Sequence, residues 1–343
     1  MAKTNPGRFF EDYSIGETII HAVPRTVSGG ERALYHALYP ARSALYSSDE
    51  FARACGLSQS PLDGMAAFHV VFGKTVPDIS LNALANLGYA EGRWLIPVYP
   101  GDTLRSESEI IGLKQNSNGK SGVVWVRTKG LNQRDETVID YVRWVMVRKG
   151  NLDACAPETV IPELRPTLQA SDLVVPDGLS FDIYDYTLAG EPHSFADYEI
   201  GEVIDHVDGV TIEEAEHMMA TRLWQNTAKV HFDATEREDG KRLIYGGHVI
   251  SMARSLSFNG LANAHMIVGL NAGAHANPCF SGDTIRAWSE VLDKAETAIP
   301  GVGALRLRLV ATKGGAASEL RGEDGKYLPS VLLDLDYWAL IPS

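Results

Sequence analysis

The sequence predicts an α+β protein built from two copies of one unit, each an antiparallel sheet wrapped around a central apolar helix. Three observations carry that reading. Stretches of the first half recur, in the same order, in the second. Within each half the β-patterned runs follow one another instead of alternating with helices, which favours an α+β over a parallel α/β design. The 343 residues are 45% hydrophobic and 22% charged, a globular composition, and at roughly 150 residues per domain the length suits two domains.

The repeat is read directly. FEDYSIGE (10–17) answers FADYEIGE (195–202) at six of eight positions. PVYPGDTLRSESE (97–109) faces PCFSGDTIRAWSE (278–290), with Tyr99/Phe280 and Leu104/Ile285 as like-for-like exchanges. Thr128-Lys129-Gly130 answers Thr312-Lys313-Gly314, and Asp140 and Trp144 answer Asp334 and Trp338. Partners stay 181 to 194 residues apart, which marks duplication of a unit of about 140 residues, too long for a solenoid repeat. The units are taken as 1–150 and 194–343, joined by a connector over 151–193.

In chain order, residues 31–39 predict a helix and 63–76, opened by Gly64, an apolar one. Alternating or β-rich runs at 103–114, 121–132 and 137–148 predict strands. The second unit mirrors this with helices over 213–224 and 246–262 and strands over 285–295, 304–314 and 330–341. The connector holds Pro157, Pro162, Pro166, Pro176 and Pro192 and little helical periodicity. It is expected to run extended over the surface and to bury Leu173, Val174, Leu179 and Phe181. The Gly-Asp-Thr elements recur in both halves and are read as turns that open strands.

Charge narrows the function. Acidic residues outnumber basic ones 44 to 31, a formal charge of -13, and no basic stripe suggests a nucleic-acid partner. An anionic ligand therefore needs a local basic pocket. No run approaches the roughly 20 apolar residues a membrane span needs. The start, MAKTNPGRFFEDYSIGE, has no apolar h-region, so no signal peptide is expected. Cys55, Cys155 and Cys279 are isolated and read as small hydrophobes of a reducing cytoplasm. No metal-binding motif is present, and no metal or cofactor is expected.

The window most suggestive of chemistry is RLWQNTAKVHFDATEREDGKRLIYGGHVISMA (222–253). It resembles the signature of MaoC-type (R)-specific enoyl-CoA hydratases: an Asp five residues before a His in a loop, often a second Asp two residues on, then a glycine turn opening the central "hot dog" helix. His231, Asp233 and Gly247 match that pattern, and PVYPGDTL and PCFSGDTI are similar to the family's Pro-x-Phe-x-Gly-Asp strand opening. The resemblance implies a double hot dog over nearly the whole chain except the connector. Single hot dogs pair so that their sheets join, and a duplicated chain can make that pairing internally; further association, to a homodimer, is also implied.

The chain departs from the pattern at Asn226, where simple hydratases carry Asp. An amide orients but does not exchange protons at neutral pH. His231 is then the candidate general acid/base, and Asn226 orients the water or the imidazole. The second proton is left to Asp233, Glu236 or a carboxylate of the substrate. Hydrating an α,β-unsaturated thioester builds negative charge on the thioester oxygen, and backbone N–H groups at a helix N-terminus suit that charge. Gly246-Gly247 permits close backbone approach, so the Gly247 amide, with that of His248, is the expected oxyanion site. Aligned the same way, the first unit puts Tyr46 at the His position and Ala41 at the Asp position. That unit is expected to be catalytically silent and to shape the pocket.

ARSALYSSDEFARACGL (41–57) and RLWQNTAKVHFD (222–233) narrow the resemblance to the mesaconyl-CoA hydratases, also called β-methylmalyl-CoA dehydratases, of the ethylmalonyl-CoA and 3-hydroxypropionate-type pathways. That group implies a short, branched, dicarboxylic acyl-CoA substrate, with Arg42 and Lys229 as candidates to face its carboxylate. Gly246, His248 and Tyr46 complete the expected binding residues. Rival readings are a hydratase of neutral acyl chains, a thioesterase using Asp63, and a non-catalytic acyl-CoA-binding protein.

Overall fold

The computed structural model describes residues 3–314 and 319–343. In the first half, β1 (Thr18–Ile20), β2 (Arg25–Thr26), α1 (Gly29–Leu38), α2 (Ala44–Ser47) and α3 (Asp49–Ala54) precede the central helix α4 (Gly64–Thr75). Then come β3 (Ala83–Trp94), β4 (Thr103–Gln115), β5 (Ser121–Leu131) and β6 (Thr137–Arg148). After a connector holding α5 (Tyr186–Ala189), the second half repeats the order. It comprises β7 (Val203–Thr211), α6 (Glu214–Leu223), α7 (Lys229–Phe232), the central helix α8 (Gly246–Leu256) and α9 (Phe258–Leu261). It ends with β8 (Met266–His275), β9 (Thr284–Glu296), β10 (Val302–Lys313) and β11 (Val331–Pro342).

The two sheets expected from the sequence join edge to edge into one eleven-stranded sheet, ordered β1-β4-β5-β6-β3-β8-β11-β10-β9-β7, with β2 beside β4. The halves meet where β3 pairs antiparallel with β8, through Tyr89↔Gly273, Ala90↔Ala272 and Gly92↔Leu270. Neither seam strand is among the strands expected from the sequence; that of β3, ALANLGYAEGRW, is rich in residues of low β propensity. β3 also carries three register shifts against β6, bulges of the kind that re-aim side chains near sites.

Each half wraps its sheet around its central helix. Every residue of α4 from Met65 to Thr75 is buried, and Asp63 caps it by accepting the Met65 N–H at 2.7 Å. The helix expected over 246–262 ends at Leu256; Gly260 turns the chain at φ +101° within α9. The repeated Gly-Asp-Thr elements are matched turns. Asp102 accepts the Tyr99 N–H at 2.8 Å, and Asp283 accepts that of Phe280 at 2.9 Å.

The connector packs against both halves. Leu179 and Phe181 are buried with Leu45, Tyr46 and Phe51, and Leu173 is partly buried against the same cluster. The Leu168 N–H donates to Asn271 at 2.7 Å, so the strap is fixed by hydrogen bonds as well as by apolar contact. Among the described residues no helix is long and apolar enough to cross a membrane.

Candidate active site

The loop after α6 is shaped by a close backbone approach. The Trp224 carbonyl lies so near Gly73 of α4 that a Cβ on Gly73 would fall 1.7 Å from its oxygen. Trp224 is buried, with its Nε1–H on Tyr39 at 3.2 Å. Gln225 then turns the chain at φ +57°. Asn226 follows, buried, its backbone N–H on Thr221 at 2.9 Å.

One helical turn, α7, presents His231. Its Nδ1 lies 2.7 Å from the Leu243 carbonyl, which only accepts, so Nδ1 carries the proton and Nε2 keeps its lone pair. Burial pushes the imidazole down to about 4, against the opposing pull of that hydrogen bond. A neutral histidine with a free Nε2 is a general base at physiological pH.

The start of α8 is held just as firmly. The Tyr245 N–H donates to His217 Nε2 at 2.9 Å, and the Tyr245 hydroxyl meets His69 Nδ1 at 3.1 Å. Gly246 and Gly247 open the helix, so their amides have no preceding turn to bond. A Cβ on Gly246 would fall 2.4 Å from the ring of His275. His275, hydrogen-bonded to the Tyr89 hydroxyl at 3.2 Å, is lowered to about 4 by burial and by the neighbouring His231.

These groups line a cavity of about 260 Å³ between the halves. The second half contributes Asn226, Val230, His231, Tyr245, Gly246 and His275; the first contributes Phe72, Ser80, Asn86, Tyr89, Arg143 and Val145. No Asp or Glu lines it, and Arg143 is its one lining Arg or Lys among the described residues. The Asn86 amide is buried without a partner among the described residues.

Of the residues expected from the sequence, His231, Asn226 and Gly246 come together in this cavity. Gly247 lies deeper, where a Cβ would meet Tyr245 and His69. The His248 amide is taken by the Tyr245 carbonyl at 2.9 Å, and its ring is buried against Tyr39. Asp233 is exposed outside the cavity, accepting the N–H and hydroxyl of Thr235 at 2.9 and 2.7 Å. Glu236 also points away, 3.9 Å from Arg148. Lys229 crosses between the halves to Asn82 Oδ1 at 3.2 Å and does not line the cavity.

Arg42 and Tyr46 belong to the corresponding region of the first half, which borders small cavities of about 40 and 30 Å³. Arg42 is exposed, over the Phe258 ring at 5.4 Å. Tyr46 is buried, its hydroxyl 3.4 Å from the His265 carbonyl. Pro176 of the connector and Trp94, which stands where His275 stands in the second half, close this space. Among the described residues no cluster of three or more His, Cys, Asp or Glu is placed to hold a metal ion.

Sequence reasoning missed Arg143, His275, Asn86 and Tyr245. Arg143 left a signal: in TVIDYVRWVMVR it shares the phase of Tyr141 and Val145, an arginine on the inward face of a strand. His275 and Asn86 sit on the two unrecognised seam strands.

Comparisons with known proteins identify the family. A family profile described as mesaconyl-CoA hydratase matches residues 1–317. The chain is 77% identical over 341 residues to the mesaconyl-CoA hydratase of Cereibacter sphaeroides, covering 99% of each. It is 58% identical to the β-methylmalyl-CoA dehydratase of Chloroflexus aurantiacus over 99% of each. A crystal structure of a MaoC domain dehydratase from Chloroflexus aurantiacus superposes with a TM-score of 0.96 at 57% identity, covering 100% of this chain and 99% of that one. A Mycobacterium tuberculosis protein described as a double hotdog fold matches at TM-score 0.75 and 24% identity, covering 97% and 98%, which supports the fold alone. With a double hot dog, a loop histidine facing a glycine-opened central helix, and full-length identity of this order, the chain belongs to the mesaconyl-CoA hydratase family.

Proposed function

We propose that the chain catalyses the reversible addition of water to mesaconyl-CoA, giving β-methylmalyl-CoA, in the cavity between its halves. The observation that carries this reading is the pairing of a neutral His231, its Nε2 lone pair free, with the open amides that start α8. His231 Nε2 takes a proton from water as the water oxygen bonds to the β-carbon. The double-bond electrons move onto the thioester oxygen, where the Gly246 and Gly247 amides and the positive end of α8 stabilise the enolate. Burial disfavours a lasting imidazolium, so the proton passes on to the α-carbon within the same site. Asn226 orients the water through its amide.

In this reading the first half is catalytically silent, because Tyr46 replaces the histidine and Pro176 and Trp94 fill the space. Asp63 does not offer a thioesterase carboxylate to the open cavity, since it caps α4 and faces Arg254 at 4.0 Å. The test is to offer mesaconyl-CoA, crotonyl-CoA and a saturated acyl-CoA, following enoyl-thioester absorbance together with free thiol. Loss of absorbance on mesaconyl-CoA without thiol release supports hydration. Thiol release from all three points to a thioesterase, and no change on any of them to a binding protein.

A further inference from the structure

We propose that Arg143 is the specificity residue that receives the free carboxylate of the acyl group, an assignment that rests on the hydratase reading above. Arg143 is fully buried on β6 and lines the same cavity as His231 and Asn226. Its guanidinium is incompletely matched by the protein. Nη2 donates to Thr75 Oγ1 at 2.8 Å and to Ser80 Oγ at 3.5 Å, both neutral, while Nε and Nη1 have no acceptor among the described residues. The Phe72 ring lies 4.2 Å from Cζ and fixes the plane of the group.

A buried charge without a counter-ion is costly, and such groups persist where function needs them. The duplicated half shows the same stack with its partners exchanged. Arg254 stands on α8 where Phe72 stands on α4, and Tyr337 on β11 where Arg143 stands on β6. Arg254 lies over the Tyr337 ring at 5.5 Å, but there Asp63 is 4.0 Å away. The closed site around Tyr46 thus supplies its nearly buried arginine, Arg254, with the Asp63 carboxylate, and the open site around His231 supplies none to Arg143.

The substrate supplies it instead. In mesaconyl-CoA the carboxylate is attached to the β-carbon that water attacks, so its receptor must share a chamber with the base, as Arg143 does with His231. The free N–H groups of Nη1, with the Nη2 hydrogen that Ser80 meets only at 3.5 Å, form an end-on edge that suits a carboxylate. This local cation also resolves how a chain of net charge -13 accepts an anionic acyl group. An aspartate in place of Asn226 would add a negative charge to this chamber, which fits the amide found there.

The test compares mesaconyl-CoA with tiglyl-CoA, which carries a methyl in place of the carboxylate, in the wild type, Arg143→Gln and Arg143→Lys. For Arg143→Gln the ratio of kcat/KM for mesaconyl-CoA over tiglyl-CoA is expected to fall by about 100-fold or more, as for loss of one member of a buried charge pair. Arg143→Lys, keeping the charge without the fork, is expected to lie between. Equal losses on both substrates would overturn the assignment.

A second readout does not need turnover: calorimetric binding of succinyl-CoA against butyryl-CoA, both saturated. A wild-type preference for succinyl-CoA that disappears in Arg143→Gln supports Arg143 even if no hydration is seen, in which case only the hydratase reading fails. No wild-type preference, or one that survives the substitution, overturns the assignment. Should Arg143→Gln fail to fold, the same two ratios in Arg143→Lys decide, with an undiminished carboxylate preference counting against the fork.

Discussion

Lowering the pH from 7 to 5 is expected to remove much of the chain's stability, through histidines that take no part in turnover. His69, His217 and His265 are buried. Burial, with His248 beside the first two and Arg254 beside the third, holds them down to about 3, 2 and 3. In the unfolded chain each takes up a proton near pH 6.5. Their folded values are depressed, so between about pH 6 and 4 the unfolded state binds three protons the folded state refuses, and stability falls as pH falls. At about 1.4 kcal/mol per proton per pH unit, the slope approaches about 4 kcal/mol per pH unit. Their share of the loss between pH 7 and 5 is about 6 kcal/mol, against a typical total of about 5–15 kcal/mol, and His231 and His275, lowered to about 4, add to it in the same direction. Urea unfolding followed by circular dichroism at pH 7, 6 and 5 measures it. His265→Gln should reduce the loss by about 2 kcal/mol. A change below about 1 kcal/mol over the whole range, or an unchanged loss in that variant, would refute the reasoning.

The catalytic group gives a different signature. Because His231 is lowered to about 4 and acts as a base, kcat is expected to stay flat from pH 8 to about 5.5, where an ordinary histidine would already titrate; an acid limb near 6.5 would contradict this. His231→Ala should lower kcat by about 100-fold or more, the usual scale of acid–base catalysis, while the thermal midpoint at pH 7.5 stays within a few degrees of wild type. Gly246→Ala places a Cβ 2.4 Å from the His275 ring, so it is expected to cost about 1–3 kcal/mol of stability by overpacking and to depress turnover; wild-type kinetics would remove Gly246 from the oxyanion site.

The fold was legible wherever periodicity or repetition carried it. The alternating runs of β4, β5 and β6 and their counterparts announce half-exposed antiparallel strands, and the Gly-Asp-Thr turns recur because the same local geometry is needed twice. The seam was not legible, because β3 and β8 use alanine and glycine to pack against each other and against the helices. A residue such as Gly73, matched to the Trp224 carbonyl 151 positions further on, leaves no local trace. The same limit governed the site. His231, Asn226 and Gly246 lie within one stretch of 21 residues, whereas Arg143 and His275 reach the cavity from strands distant in sequence. The cations of the two motif loops, exposed Arg42 and half-buried Lys229, stand out by their place in the sequence; Arg143 is close to His231 only in space.

The most direct test is a structure of the protein with methylsuccinyl-CoA, the saturated and unreactive counterpart of mesaconyl-CoA. The expected result places the thioester oxygen within hydrogen-bond distance of the Gly246 or Gly247 amide and the β-carbon facing His231 Nε2. An acyl group lodged by Tyr46 in the first half, or turned away from His231 in the second, would contradict the site described here.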